Sequence, residues 1–308
     1  MRNQSIAILM STYNGQQFIA EQLKSIAQQT HVNWKIFLSD DGSSDDTLQI
    51  AEQFKQQWGL DRLEIRQGPK QGFCLNFLSM ACDPTIKADF YAFSDHDDVW
   101  MDDKLERALT YFESVQNEYI PKLYCGRTQS VDEQLNHLGY SPLFCLPRSF
   151  RNALVQSIAG GNTMVFNQAA KELIEKAGLL EVVSHDWWFY QLIKGAGGTV
   201  YYDPKPSILY RQHPNALVGA NRSIGARYDR FVFAWNGGFK RWNNINYAAL
   251  CSVKHLLTKD NREILELFGT LRTAKFKDRF RLLAVCGIYR QTWQGTLSLW
   301  LATFLNKL

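Results

Sequence analysis

Signatures of several common functions are missing from this chain. None of the six cysteines, at 74, 82, 125, 145, 251 and 286, forms a C-x-x-C pair or stands at zinc spacing from a histidine. A disulfide scaffold and a zinc module are therefore not expected, and the cysteines read as reduced, mostly buried thiols of a cytosolic protein. No G-x-G-x-x-G follows the first apolar run, and no G-x-x-x-x-G-K-[ST] occurs. That argues against a dinucleotide oxidoreductase and a P-loop NTPase. No stretch reaches the ~20 apolar residues of a membrane-spanning helix. The first apolar run, Ile6 to Met10, is too short for a signal peptide, so a cytoplasmic location is expected. Repeats and low-complexity segments are also absent. Acidic residues are scarce in one region only. Residues 222–308 hold 15 Lys or Arg against 5 Asp or Glu, whereas residues 1–221 hold 19 against 25.

What is present suits a chain with a sizeable packed core. The 308 residues are 45% apolar and 21% charged, and nine are Trp. The charge change marks an expected boundary between a body, 1–221, and a basic, aromatic-rich helical tail, 222–308. A basic tail on an acidic body calls for an anionic partner. Nothing resembling a helix-turn-helix, zinc finger or stacking platform accompanies the charge, so nucleic acid is not expected. Residues 276–305 carry Phe276, Phe280, Leu283, Trp293, Leu297, Trp300 and Leu301 at helical offsets, among Lys275, Lys277, Arg279, Arg281 and Arg290. This predicts a helix lying in the interface of an anionic membrane, peripheral on its inner face. A helix packed on the body would read the same way.

In the first hundred residues, apolar runs at 5–10, 34–38, 62–66 and 89–94 alternate with helical spacing at 16–29, 45–58 and 72–82. That is β-α-β-α-β-α-β, the pattern of an α/β fold with a mainly parallel sheet flanked by helices. Further strands are expected at 121–125, 158–166, 199–202 and 207–210, and a helix at 184–194. In such sheets ligands bind at the carboxyl ends of the strands, and polar residues stand there: Ser11-Thr12-Tyr13-Asn14, Asp40-Asp41 and Asp95-His96-Asp97-Asp98.

Three carboxylates in four residues repel unless a counter-ion or full solvation offsets them. A hard divalent cation is the natural counter-ion, and Mg²⁺ brings phosphates with it. A solvated acidic turn capping the next helix is the plain alternative. Asp40-Asp41-Gly42-Ser43 is similarly ambiguous, with Ser44 or Asp45 expected to cap the helix that follows and Asp41 left for a ligand.

Six segments in order carry a resemblance over residues 5–220: I-L-M-S-T-Y-N-G (8–15), S-D-D-G-S-S-D-D-T (39–47), F-S-D-H-D-D-V-W (93–100), A-G-G-N-T-M-V-F (159–166), H-D-W-W (185–188) and Y-R-Q-H-P-N (210–215). Together they resemble the family-2 glycosyltransferases of the GT-A fold, most of all bacterial rhamnosyltransferases. His96 stands where that group has Gln, and Asn162 where it has Cys. The resemblance implies a nucleoside-diphosphate sugar donor, with dTDP-rhamnose expected and a UDP-sugar as alternative. It also implies a glycan or lipid-linked saccharide acceptor, Mg²⁺ or Mn²⁺, and inversion at the anomeric carbon. It implies that Ser11, Tyr13 and Asp41 hold the nucleoside, that Asp95 lies near the ribose or sugar, and that Asp97 binds metal with Asp98 as a second or outer ligand. Asp186 falls on the catalytic-base position and His213 on a loop reaching metal or diphosphate, and Arg211 is expected at the leaving group. Asp186 could instead cap a helix, and Trp187 and Trp188 either stack on sugar or pack in the core. An inactive scaffold on the same fold is the rival reading. The retained Asp41, Asp97 and Asp186 speak against it.

Overall fold

The computed structural model describes residues 3–115, 117–213 and 237–308. β1 (Ile6–Thr12), α1 (Ile19–Ala27), β2 (Trp34–Asp40), α2 (Thr47–Trp58), β3 (Leu63–Gln67), α3 (Phe73–Ala81) and β4 (Phe90–Ser94) follow the expected alternation. All seven residues of β1 are buried. Ile6, Ile8 and Met10 join an apolar cluster with Ile19, Leu23, Ile36 and Leu38, while Ala7 and Leu9 join another with Phe77, Leu78 and Phe93. Successive side chains point to opposite faces and both faces are covered, which is why the strand reads as an unbroken apolar run.

Next come β5 (Val99–Trp100), α4 (Lys104–Ser114), β6 (Lys122–Gly126), β7 (Gln129–Val131), β8 (His137–Tyr140), α5 (Phe150–Ala153), β9 (Val165–Asn167), α6 (Gln168–Ala177), α7 (His185–Gly195), β10 (Thr199–Asp203) and β11 (Ile208–Arg211). The main sheet has the order β10-β6-β9-β4-β1-β2-β3. It is parallel except at β9, which runs antiparallel between β4 and β6. The strand expected over 158–166 forms only at its end. Gly161–Thr163 make a 3₁₀ turn, because Asn162 and Thr163 spend their side chains on Asp98 and on the Gly160 carbonyl. A second sheet, β5-β11-β7-β8, pairs Leu209 with Val99. That pairing returns the chain after β11 to the residues just ahead of β5.

The expected boundary at 221/222 lies outside the described residues. After it stand α8 (Gly238–Ser252), α9 (Lys259–Thr273), α10 (Phe276–Cys286) and α11 (Trp293–Phe304). Leu250, Phe268, Leu283 and Leu299 belong to the same buried cluster as Leu9 and Phe77, so these helices pack on the body. The single helix expected over 276–305 is two: Gly287, at φ 61°, takes the left-handed conformation that closes α10. All six cysteines are free. Cys145 and Cys251 are exposed, contrary to the expectation of mostly buried thiols.

Candidate active site

β1 and β2 end level at Thr12 and Asp40, and the neighbouring β4 ends two residues earlier, with Ser94 opposite Met10. Immediately beyond β4, one carboxylate oxygen from each of Asp95, Asp97 and Asp98 lies within 4.8 Å of the others. Burial, and then the charges of Asp97 and Asp186, push the Asp95 carboxyl up to about 8. Burial and then Asp97 and Asp95 raise Asp98 well above the carboxylate range. Asp97 moves the other way. Burial works to raise it, but the hydrogen bond with His213 Nε2 at 2.9 Å and the nearby charge of His96 and His213 outweigh that. Crowded, partly dry carboxylates form an all-oxygen donor set that fits a hard divalent cation, and either Mg²⁺ or Mn²⁺ suits it.

The cluster is braced from behind. Asp98 is fully buried. Its Oδ2 accepts from Asn162 Nδ2 at 2.6 Å, and its Oδ1 from the Arg211 backbone N–H at 3.3 Å. Lys104 is buried, with Nζ 3.5 Å from the centroid of the Trp100 ring, and donates to the Asn162 carbonyl. Burial draws its pKa well down, against the pull of Asp98 and Asp95. Arg211 departs from expectation. Its guanidinium is buried and spends every nitrogen inside the protein, on the Asp97 carbonyl at 2.9 Å, on the Glu133 carbonyl and on the Glu21 carboxylate. Phe18 packs between the guanidinium, at 4.5 Å, and the His213 ring, at 5.0 Å. Arg211 therefore fixes the backbone of Asp97, and its buried guanidinium is held in the frame rather than presented to a leaving group.

Asp186 lies in the first turn of α7. Its Oδ1 accepts from Ser184 Oγ and from the Trp187 N–H, while Oδ2 has no hydrogen bond among the described residues. These bonds at the helix start, where Ser184 is the cap residue, occupy one oxygen and leave the other. Trp187 and Trp188 are both buried, and Trp187 Nε1 donates to the Ala153 carbonyl, so neither ring is a sugar platform. Around the ends of β1 and β2, Tyr13 is 58% exposed and Ser11 is buried. Ser11 Oγ accepts from Asn76 Nδ2 at 2.7 Å. Each Asp41 oxygen accepts a backbone N–H at 2.7 Å, from Lys70 and from Gly72, tying β2 to the loop before α3. The cap of α2, expected at Ser44 or Asp45, falls on Asp46, whose side chain makes no capping bond; Asp45 Oδ1 accepts the Thr47 N–H from just ahead of it.

Sequence reasoning missed Asn76, Lys104, Glu21 and Tyr210. Asn76 also donates to the Ser39 carbonyl and accepts from Ser39 Oγ, joining the tips of β1 and β2. Burial and then Asp98, Asp95, Asp97 and Asp186 push the Tyr210 phenol upward, so it stays neutral beside all four. His96 packs over Gly15, where a Cβ would stand 2.3 Å from the ring. Its Nδ1 lies 3.4 Å from the Ser11 carbonyl and so spans the two ends of the site.

The chain is 31% identical to the dTDP-rhamnosyl transferase RfbG of Shigella flexneri over 250 residues, covering 75% of this chain and 81% of that protein. Among solved structures, it superposes on Staphylococcus aureus TarS 1–349 in complex with UDP-GlcNAc with a TM-score of 0.52 at 13% identity, covering 98% of this chain and 89% of that one. The mannosyltransferase PcManGT from Pyrobaculum calidifontis, in complex with GDP-Man and Mn²⁺, gives a TM-score of 0.50 at 17% identity, covering 99% and 87%. These likenesses are of fold, and the fold is GT-A. The profile of the family "Glycosyl transferase family 2" matches residues 7–173. With a mainly parallel sheet and an acidic cluster at its carboxyl edge, this chain belongs to glycosyl transferase family 2 and is a glycosyltransferase.

Proposed function

We propose that this enzyme moves rhamnose from dTDP-rhamnose onto a hydroxyl of a glycan or lipid-linked saccharide, with inversion, as a step of cell-surface polysaccharide synthesis on the cytoplasmic side of the membrane. The observation that carries the reading is the crowding of Asp95, Asp97 and Asp98 at the end of β4 beside Asp186. The likeness to a dTDP-rhamnosyl transferase supports the donor. Asp97 and Asp95, with His213 at the rim and Asp98 behind, would hold Mg²⁺ or Mn²⁺. A bound cation supplies positive charge for the diphosphate leaving group. The exposed Tyr13 ring offers a stacking face to the nucleobase, and Ser11 and Asp41 frame it. Cleavage at the anomeric carbon leaves an oxocarbenium-like sugar. The acceptor hydroxyl attacks from the opposite side, and Asp186 Oδ2 takes its proton as general base. Ser184 and the Trp187 N–H aim that carboxylate by holding Oδ1.

The test is a donor panel. The protein is melted with dTDP-, UDP- and GDP-sugars in the presence of Mg²⁺ or Mn²⁺, since a ligand of the folded state raises the melting temperature. A cation-dependent rise with dTDP-rhamnose, lost in Asp97→Ala, is expected. Asp186→Asn should keep that rise and lose about 10²–10⁴-fold in turnover. A rise confined to UDP-sugars overturns the donor. No rise with any donor in folded protein, or full turnover in Asp186→Asn, overturns the site.

A further inference from the structure

The last two helices bury one side and leave the other apolar in water. Leu283 and Cys286 of α10, and Leu299 and Thr303 of α11, are buried. On α11, Trp293, Leu297, Trp300, Leu301 and Leu305 are exposed, from 44% at Leu305 to 73% at Trp293. Trp293, Leu297, Leu301 and Leu305 stand four residues apart, with Trp300 beside Leu301, and make one stripe of the helix. On α10, Phe276 and Phe280 are 64% and 63% exposed. Their rings meet Phe304 at 6.2 and 4.2 Å, which joins the two stripes into one face. The face continues into a groove of about 790 Å³ between α11 and the loop carrying Leu143, Leu146 and Pro147. A continuous apolar patch of this kind marks an interaction surface.

The charge around it says what covers it. Residues 275–308 hold six Lys or Arg and one acidic residue, Asp278. Lys275, at the start of α10, and Lys277 and Arg281 on it are exposed, and their side chains make no hydrogen bond or ion pair among the described residues. Arg279 bonds only neutral carbonyls, those of Ala274 and Phe304. A second copy pairing through this face would bring two sets of unpaired cations together. A phospholipid surface takes aromatic and Leu side chains at the headgroup–acyl boundary and offers phosphate to the cations. No helix of the described residues is long and apolar enough to cross a bilayer, so the pair lies in the interface. We propose that the α10–α11 face docks on an anionic bilayer, with Phe276, Phe280, Trp293 and Trp300 inserted and Lys275, Lys277 and Arg281 at the lipid phosphates.

The proposal uses no step of the transfer chemistry, so its test is separate. The full chain is floated with vesicles of phosphatidylcholine alone or mixed with phosphatidylglycerol, alongside two variants. One is Trp293→Ser/Leu297→Ser/Leu301→Ser and the other Lys275→Glu/Lys277→Glu/Arg281→Glu. All six positions are exposed, so the melting temperature and its rise with donor should be unchanged in both. The wild type should float with the anionic vesicles. The charge variant should bind at least about a hundredfold more weakly, at roughly fivefold per cation lost before the added negative charge is counted, and the apolar variant should stay in solution. Three results overturn the proposal: no flotation of the wild type, equal flotation of the charge variant, or a dimer by light scattering that the apolar variant dissolves without vesicle uptake.

Discussion

Asp95→Asn should make the cation-free protein more stable while making it a poorer enzyme. The Asp95 carboxylate has no hydrogen bond among the described residues, so the amide, of nearly the same size, removes a charge and little else. The folded carboxyl titrates at about 8 against 3.8 in the ordinary case, chiefly through burial and then the charges of Asp97 and Asp186. The sign follows from proton binding. Between those values the folded protein keeps a proton that the unfolded chain releases, so wild-type stability falls as pH rises from about 4 to about 8. At pH 7 the cost is up to about 4 kcal/mol. Sharing of the repulsion with Asp97 and Asp98 makes about 2 kcal/mol the working figure. With an unfolding entropy of about 2.1 cal/mol/K per residue, a chain of this length gains about 1.5 °C per kcal/mol, so the variant should melt about 3–6 °C higher. The assay is thermal unfolding by circular dichroism in EDTA across this pH range, then with Mn²⁺. The gap should be near zero at about pH 4 and full near pH 8. Saturating Mn²⁺ should close it by raising the wild type, by about 2.7 kcal/mol at a hundredfold excess over Kd. A variant that melts at or below the wild type at neutral pH in EDTA, or a gap that ignores pH, refutes the reasoning.

His185 carries a second pH dependence of opposite direction. Both ring nitrogens are buried without hydrogen-bond partners among the described residues, Phe77 stacks on the ring at 4.2 Å, and burial holds the imidazole down at about 4. The unfolded chain binds the proton first, so wild-type stability falls as pH drops from about 6.5 to about 4, by about 2 kcal/mol between pH 7 and pH 5. Urea midpoints at those two pH values should show His185→Phe losing correspondingly less, and equal losses would contradict this. Arg211→Lys should weaken cation binding about 10–100-fold without touching the cation, because one ammonium cannot replace a guanidinium that bonds the Asp97 carbonyl while anchored on Glu133 and Glu21. Mn²⁺ titration followed by melting temperature measures this, and an unchanged midpoint would put Arg211 outside the bracing.

What the sequence revealed was local, and what it hid was long-range. The short apolar runs and helical spacings of residues 5–94 set the β-α alternation because each element is chosen by its own side chains. Asp95, Asp97 and Asp98 were legible because they are neighbours at a strand end. Asp186 and His213 entered only through resemblance to a family. Lys104 reads as the surface residue of an amphipathic helix, yet it is buried against the Asn162 carbonyl, the Trp100 ring and the crowded Asp98 and Asp95. Arg211 reads as a free cation, yet its carboxylate partner, Glu21, is 190 residues away. The Asn162 that departs from the family pattern is the side chain that holds Asp98. Bonds of this kind sort the residues singled out from the sequence into two sets. Ser11, Asp41, Asp98 and Arg211 already have internal partners and build the frame. The Tyr13 ring, the Asp95 carboxylate and Asp186 Oδ2 make no hydrogen bond among the described residues. An incoming ligand can engage those three groups without first breaking a bond of the fold, so substitutions there should act on ligand binding and turnover before they act on folding.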